Sequence, residues 1–281
     1  MSTFLRQTDE LIDRALQEDI RTGDITSQAT VPPDMNGEAV IIAKQDGIIA
    51  GLSICQHVFQ RTDDKLKFKL FFKDGNRVNS GNQLMHISGN LSAILKAERV
   101  ALNFLGRLSG VSTLTNKFVQ EVKNTHCKIL DTRKTTPLFR GLEKYAVKIG
   151  GGENHRFGLF DMYLVKENHI ITAGSIESIL EKVFNHRDKN KIDAKVEVEV
   201  RGIEELKIAL NYPVDCILLD NMSVETIYKA VRICSGKTKL EVSGGVSLSN
   251  VKIYALTGVD YISIGKLTHS VENFDLSLLI N

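Results

Sequence analysis

Two rhythms of apolar residues divide the N-terminal part of the chain. Over residues 4–19, Leu5, Leu11, Ile12, Ala15 and Leu16 recur at helical spacing, which predicts an amphipathic helix. The runs GEAVIIAK (37–44), KLKFKLFF (65–72) and QLMHIS (83–88) then read as strands, separated by turn signals that include Asp46-Gly47 and Asp74-Gly75. KLKFKLFF alternates polar and apolar side chains, as a half-buried antiparallel strand does. A long helix follows in SAILKAERVALNFLGRLSG (92–110), with Ile94, Ala97, Ala101, Leu105 and Leu108 on one stripe and Gly110 as its stop. Glu98 and Arg99 lie off that stripe, on what reads as a polar face.

Beyond this helix the pattern becomes regular. Strand-like runs appear at CKIL (127–130), MYLVK (162–166), KVEVEV (195–200), CILLD (216–220), LEVSG (240–244) and YISIG (261–265). Helix-compatible segments at 175–187, 203–211, 223–234 and 247–257 separate several of them. Alternating strand and helix predicts a parallel sheet with helical crossovers, and unbroken apolar strands such as CILL fit burial on both faces. The expected fold class is α/β: a C-terminal β/α barrel, TIM-like and complete or incomplete, with a smaller N-terminal α+β sandwich domain. The expected boundaries are 1–110 for the N-terminal domain with its connecting helix and 111–281 for the barrel, the chain ends being free to pack across that division.

What ends each strand carries the chemistry. DTRKTT (131–136) follows the first and brings Arg133 beside Lys134; the second ends in Lys166; the third contains Glu197 and Glu199. The fourth ends in Asp220, the fifth in Ser243-Gly244-Gly245 and the sixth in Gly265. A single polar strand end says little, because loops are polar anyway. Six in succession point to one shared site, since the carboxyl ends of barrel strands converge on one face. Glu197 and Glu199 have the same parity, so both enter the barrel or neither does. Arginine grips a carboxylate or phosphate through paired hydrogen bonds. Carboxylates such as Glu199 and Asp220 are hard donors for Mg²⁺, directly or through water. Small residues after the late strands let backbone N–H groups approach a phosphate. The expected ligand is polyanionic, with a divalent metal.

Composition narrows the function further. The net charge of +2 gives no general pull toward nucleic acid or membrane. The positive charge is local: residues 128–156 hold seven Lys and Arg against three Asp and Glu. Cys55, Cys127, Cys216 and Cys234 are scattered without a C-x-x-C pair, so buried thiols are expected rather than a zinc site or disulfide framework. No apolar run approaches a membrane span and the first residues lack a signal-peptide core, so a cytoplasmic protein is expected. His169 reads as a structural cap, and Glu143, Lys144 and Lys148 as an exposed helix face.

DTRKTTPLFRGLEKYAVKIGGGENHRFGLFDMYLVKENHI closely resembles the quinolinate phosphoribosyltransferases, also called nicotinate-nucleotide pyrophosphorylases (carboxylating). AERVALNFLGRLSGVSTLT, VEVEV, ILLDN, EVSGG and ISIGKLTHS fall in that family's order, and EDIRTGDITS (18–27) resembles its N-terminal segment. The resemblance implies transfer of phosphoribosyl from phosphoribosyl pyrophosphate to quinolinate with loss of CO₂, a step of NAD biosynthesis that requires Mg²⁺. It implies that Arg133, His155 and Arg156 hold quinolinate, with Lys166 between the two substrates. Lys134 would contact the phosphoribosyl substrate. Glu199 and Asp220 would face its ribose and metal. Ser243, Gly244, Gly245, Gly265 and His269 would cradle its phosphate. Lys134, Lys166, Glu199 and Asp220 are the implied catalytic set. The family works as dimers or larger homo-oligomers, which implies that Arg99 reaches into the neighbouring subunit's site. One departure is Leu138, where the family usually carries glycine (TRKTTPG); a backbone angle natural to glycine would strain leucine and redirect the loop that leads to Arg140.

A Schiff-base aldolase using Lys134 or Lys166 is a second reading, though the surrounding arginines and acids suit a polyanion better than a carbonyl. A metal-dependent hydrolase lacks an H-x-H or H-E-x-x-H pair. A non-enzymatic phosphate binder would not need Glu199 and Asp220. Family relatives associated with molybdate transport share the barrel and some motifs.

Overall fold

The computed structural model describes residues 3–280, with side chains from Arg6 onward, so Leu5 of the first helical stripe lies outside the described side chains. In chain order the elements begin α1 (Thr3–Ile20), α2 (Ile25–Thr30), β1 (Asn36–Ala43), β2 (Gly47–Ile48), α3 (Leu52–Thr62), β3 (Lys67–Leu70), β4 (Arg77–Val78), β5 (Gln83–Asn90) and α4 (Leu91–Val122). They continue β6 (Lys128–Leu130), α5 (Arg140–Ile149), β7 (Met162–Val165), α6 (Glu167–Ala173), α7 (Ile176–Lys189), β8 (Lys195–Val200), α8 (Ile203–Ala209) and β9 (Cys216–Asp220). The last are α9 (Val224–Cys234), β10 (Lys239–Ser243), α10 (Val251–Leu256), β11 (Tyr261–Ser263), α11 (Lys266–His269) and β12 (Leu276–Ile280).

The chain forms two compact units: residues 1–116, 137–151 and 270–281 in one, 117–136 and 152–269 in the other. α5 and the C-terminal strand β12 return to the first unit.

That first unit is built on an antiparallel sheet in the order β12-β1-β5-β3, with β12 paired to β1 from Ala39↔Ile280 to Ala43↔Leu276. Its core gathers Ile41, Met85 and Ile87 of the sheet, Val58 and Phe59 of α3, and Ile94 and Leu105 of α4, all buried. Asp74, from the turn read as Asp74-Gly75, accepts the N–H groups of Gly51 (2.8 Å) and Leu52 (3.0 Å) and so caps α3. α4 does not stop at Gly110. It continues to Val122, and the glycine serves another purpose: a Cβ there would lie 2.2 Å from the carbonyl oxygen of Glu272. The expected exposed face of α5 is also corrected. Lys148 is exposed, but Glu143 and Lys144 are buried with Leu142, Ala146 and Val147, and Glu143 Oε1 accepts from Arg107 Nη2 at 2.6 Å. An ion-paired glutamate can take a buried position that charge alone would assign to solvent.

The second unit holds an all-parallel sheet of six strands in the order β6-β11-β10-β9-β8-β7. This is the order of a β/α barrel opened between β6 and β7, a TIM-like barrel that is incomplete. β9 is apolar because it is buried on both faces; its Ile217 and Leu219 are fully buried, worth roughly 1.5–3 kcal/mol per side chain of this size. The open seam is lined by an irregular segment. There Glu153 N–H donates to Ile129 O (2.8 Å) and Asp131 N–H donates to Glu153 O (3.2 Å), which pins residues 152–156 against β6.

Candidate active site

The seam explains how His155 and Arg156 reach the barrel mouth. Buried Asp131, one residue past β6, accepts the backbone N–H of His155 through Oδ1 at 2.8 Å. The next residues of that loop are Thr132, Arg133 and Lys134. Thr132 Oγ1 accepts Lys134 N–H (3.0 Å), and Thr268 Oγ1 donates to Lys134 O (2.7 Å), so both sides of the loop are tied down within the second unit. DTRKTT is thus a fixed strand tip whose basic side chains face a cavity.

The cavity has a volume of about 550 Å³ and lies wholly within the second unit. Arg133, Lys134, His155, Arg156, Lys166, Asp220, Ser243, Gly244, Gly245, Gly265 and His269 all line it. Lys266 adds a further cation, while Asp220 and Glu241 are the lining acids, so the wall is strongly cationic on formal charge. Burial, and then the charge of Arg133, lowers the pKa of Arg156. Its Nη1 donates to Met162 O (3.1 Å), and its Nε is buried without a hydrogen-bond partner. A crowded guanidinium with an unused N–H is well disposed toward an incoming anion.

At the ends of β10 and β11 the wall is backbone. Gly244 and Gly245 adopt φ +95° and +60°, and a Cβ on Gly244 would meet Asn221 Oδ1 at 2.0 Å. A Cβ on Gly265 would come 2.9 Å from Lys134 Cδ. The close neighbours fix Gly244 and Gly265 as glycines, while Gly245 has open space around its Cα where an anion's oxygens can approach the main chain.

Two expected residues do not line this cavity. Glu199 enters the barrel with Glu197, as the shared parity required, but its carboxylate accepts from Lys166 Nζ at 2.8 Å and borders a smaller neighbouring cleft. Arg99 is exposed on α4, its guanidinium 3.9 Å from Glu98. Asp220 accepts from Asn221 Nδ2 at 2.8 Å. His169 is the structural cap it was read as: its Nδ1 accepts the backbone N–H of Lys166 at 3.0 Å and fixes the start of α6. Glu241 was not anticipated. It shares parity with Ser243 on β10, and that alternation was the signal that it points inward.

The four cysteines are buried free thiols, as expected. Among the described residues no helix is long and apolar enough to cross a membrane.

Comparison with known proteins identifies the family. Residues 24–109 match the family model for the N-terminal domain of quinolinate phosphoribosyl transferase, and residues 111–279 match that for its C-terminal domain. The chain is 42% identical over 288 residues to a mitochondrial quinolinate phosphoribosyltransferase (decarboxylating) of Nicotiana tabacum, an alignment covering 97% of this chain and 82% of that one. It is 40% identical to a probable nicotinate-nucleotide pyrophosphorylase (carboxylating) of Bacillus subtilis, over 97% of this chain and 93% of the relative. The crystal structure of NadC from Streptococcus pyogenes superimposes with a TM-score of 0.94 at 37% identity, covering 100% of this chain and 98% of the other. The chain belongs to the quinolinate phosphoribosyltransferase family.

Proposed function

We propose that this protein transfers the phosphoribosyl group of phosphoribosyl pyrophosphate to quinolinate, releasing pyrophosphate and CO₂ and forming nicotinate mononucleotide for NAD biosynthesis. The observation that carries the reading is the cavity at the strand tips, where five Lys and Arg side chains and the glycine turns of β10 and β11 surround a space suited to small polyanions. Quinolinate carries two adjacent carboxylates. Arg133, His155 and Arg156 are read as its holders, with Lys166 between the two substrates. Lys134 contacts the phosphoribosyl group, and Ser243, Gly244, Gly245, Gly265 and His269 receive the 5′-phosphate.

The chemistry needs no general base. The pyridine nitrogen has no proton to lose, so its lone pair attacks the ribose carbon as the bond to pyrophosphate breaks. Catalysis is then positioning together with stabilisation of the departing charge by fixed cations. In the ribosylated intermediate the ring nitrogen is cationic. When the adjacent C–CO₂ bond breaks, the electron pair left on carbon lies beside that positive nitrogen, and a proton replaces the lost carboxylate.

Mg²⁺, when bound, neutralises charge on the pyrophosphate. Asp220 at the cavity wall, and Glu199 once released from Lys166, would supply the hard oxygen donors such an ion takes. The working form is read as a homo-oligomer, a dimer at least, in which Arg99 of each subunit reaches its neighbour's site. Buried free thiols suit a reducing compartment, in keeping with action in the cytoplasm. The test is an assay with phosphoribosyl pyrophosphate and Mg²⁺ in which quinolinate and nicotinate are offered separately. Product and CO₂ are expected from quinolinate alone, and removal of Mg²⁺ by chelation is expected to stop the reaction reversibly. Turnover of nicotinate instead would contradict the assignment.

A further inference from the structure

Beneath the cations, the floor of the cavity holds a buried set of opposite character. One ring or carboxylate atom from each of His155, Glu197 and Glu241 lies within 4.8 Å of the others. His155 Nε2 is 3.3 Å from Glu197 Oε2 and 3.5 Å from Glu241 Oε2. His155 Nδ1 accepts the backbone N–H of Arg156 at 2.7 Å, so the ring's N–H is the one that faces the carboxylates. One imidazole N–H thus serves two buried acids. The remaining oxygen of each, Oε1, is buried and meets no hydrogen-bond donor among the described residues. Buried acceptors without a donor lose their hydration with nothing in return. Two buried negative charges would also oppose the dicarboxylate that the cavity is read as binding.

We propose that Glu241 takes part as a neutral carboxylic acid, a positioning residue whose O–H is the donor this set lacks and whose neutrality leaves one negative charge under the substrate instead of two. This rests on the quinolinate reading of the cavity. The titratable and charged groups around Glu241 are Glu197 of β8, His155 of the seam, Lys166 at the end of β7 and the Cys216 thiol of β9, with the Ser263 hydroxyl of β11 beside it. Burial, then the charge of Glu197, pushes Glu241 up to about 8, against the smaller opposing pull of His155, Ser263 and Lys166. Above that value the acid loses its proton, and the floor becomes more repulsive to an anion.

The test follows KM for quinolinate against pH in the wild type and in E241Q, whose amide keeps a donor and cannot ionise. In the wild type KM rises about tenfold between about pH 7 and pH 9, as the protonated fraction falls. In E241Q that rise is absent. Infrared difference spectra of glutamate-labelled protein give a second reading without catalysis: a protonated carboxyl stretch present at neutral pH, lost at high pH and missing from E241Q. Should E241Q not fold, the pH dependence of that band in the wild type decides. An unchanged alkaline rise in E241Q, no protonated band at neutral pH, or a stoichiometric divalent ion that co-purifies with the wild type and is lost in E241Q would each overturn the proposal. Failure of the wild type to use quinolinate would instead remove the functional reading, and the band would still report on the proton.

Discussion

Arg107 and Glu143 show what single residues decide in this chain. Arg107 Nε and Nη2 lie 3.1 and 2.6 Å from Glu143 Oε1, and the glutamate side chain is 0% exposed while the arginine is 21% exposed. Removing the cation would take a charged partner from a fully buried carboxylate. Arg107→Ala is therefore expected to lower unfolding stability by about 3–5 kcal/mol, read from chemical denaturation. A loss below 1 kcal/mol would show that Glu143 finds equal compensation elsewhere. The pair was not legible in the sequence because its members stand far apart in the chain, and a charged residue on a helix reads as solvated until its partner is known. Arg133, Lys134, Lys166 and Asp220 were legible because each stands at or just beyond the carboxyl end of a strand. Glu241 sits inside a strand, where only the alternation with Ser243 marked it.

At the scale of elements, the pattern located β6 to β11 to within a residue or two, because strands of a buried sheet leave short runs, apolar throughout or alternating, bounded by polar residues and glycine. Helix ends were harder to read. Gly110 has the composition of a stop, yet its role is close approach to Glu272, a contact with residues late in the chain. β12 and the short α3 were missed for a related reason, since a brief apolar stretch fits either regular state until its partner is known. The loop between β6 and α5 carries a strain that the sequence did announce. Leu138, in place of the family's usual glycine, has φ +64° and is 76% exposed. The left-handed conformation costs a non-glycine residue about 1–2 kcal/mol, more than the roughly 0.5–1 kcal/mol that glycine's extra freedom costs. Leu138→Gly is accordingly expected to raise the melting temperature slightly. A fall would mean that the exposed leucine side chain has contacts that outweigh its strained backbone.

The whole molecule carries a net charge of only +2, so the attraction for polyanions proposed above must come from one cavity and not from its surface at large. The proposed assembly adds a second requirement at this scale. If Arg99 serves the neighbouring site, Arg99→Ala and Arg133→Ala subunits are each inactive alone, yet a mixed dimer regains one intact site. Re-association of equal amounts is expected to restore about a quarter of wild-type activity. No recovery despite demonstrated subunit exchange would return Arg99 to the surface role that its off-stripe position first suggested.

The central claim is that the cations at the strand tips bind quinolinate for phosphoribosyl transfer and decarboxylation. The most direct measurement counts nicotinate mononucleotide, pyrophosphate and CO₂ formed per quinolinate consumed by the wild type, and measures quinolinate affinity in parallel for Arg133→Ala. Equal amounts of the three products, with affinity weakened by about 2–5 kcal/mol in a folded variant, are the predicted result. Turnover without CO₂, or unchanged affinity in Arg133→Ala, would contradict it.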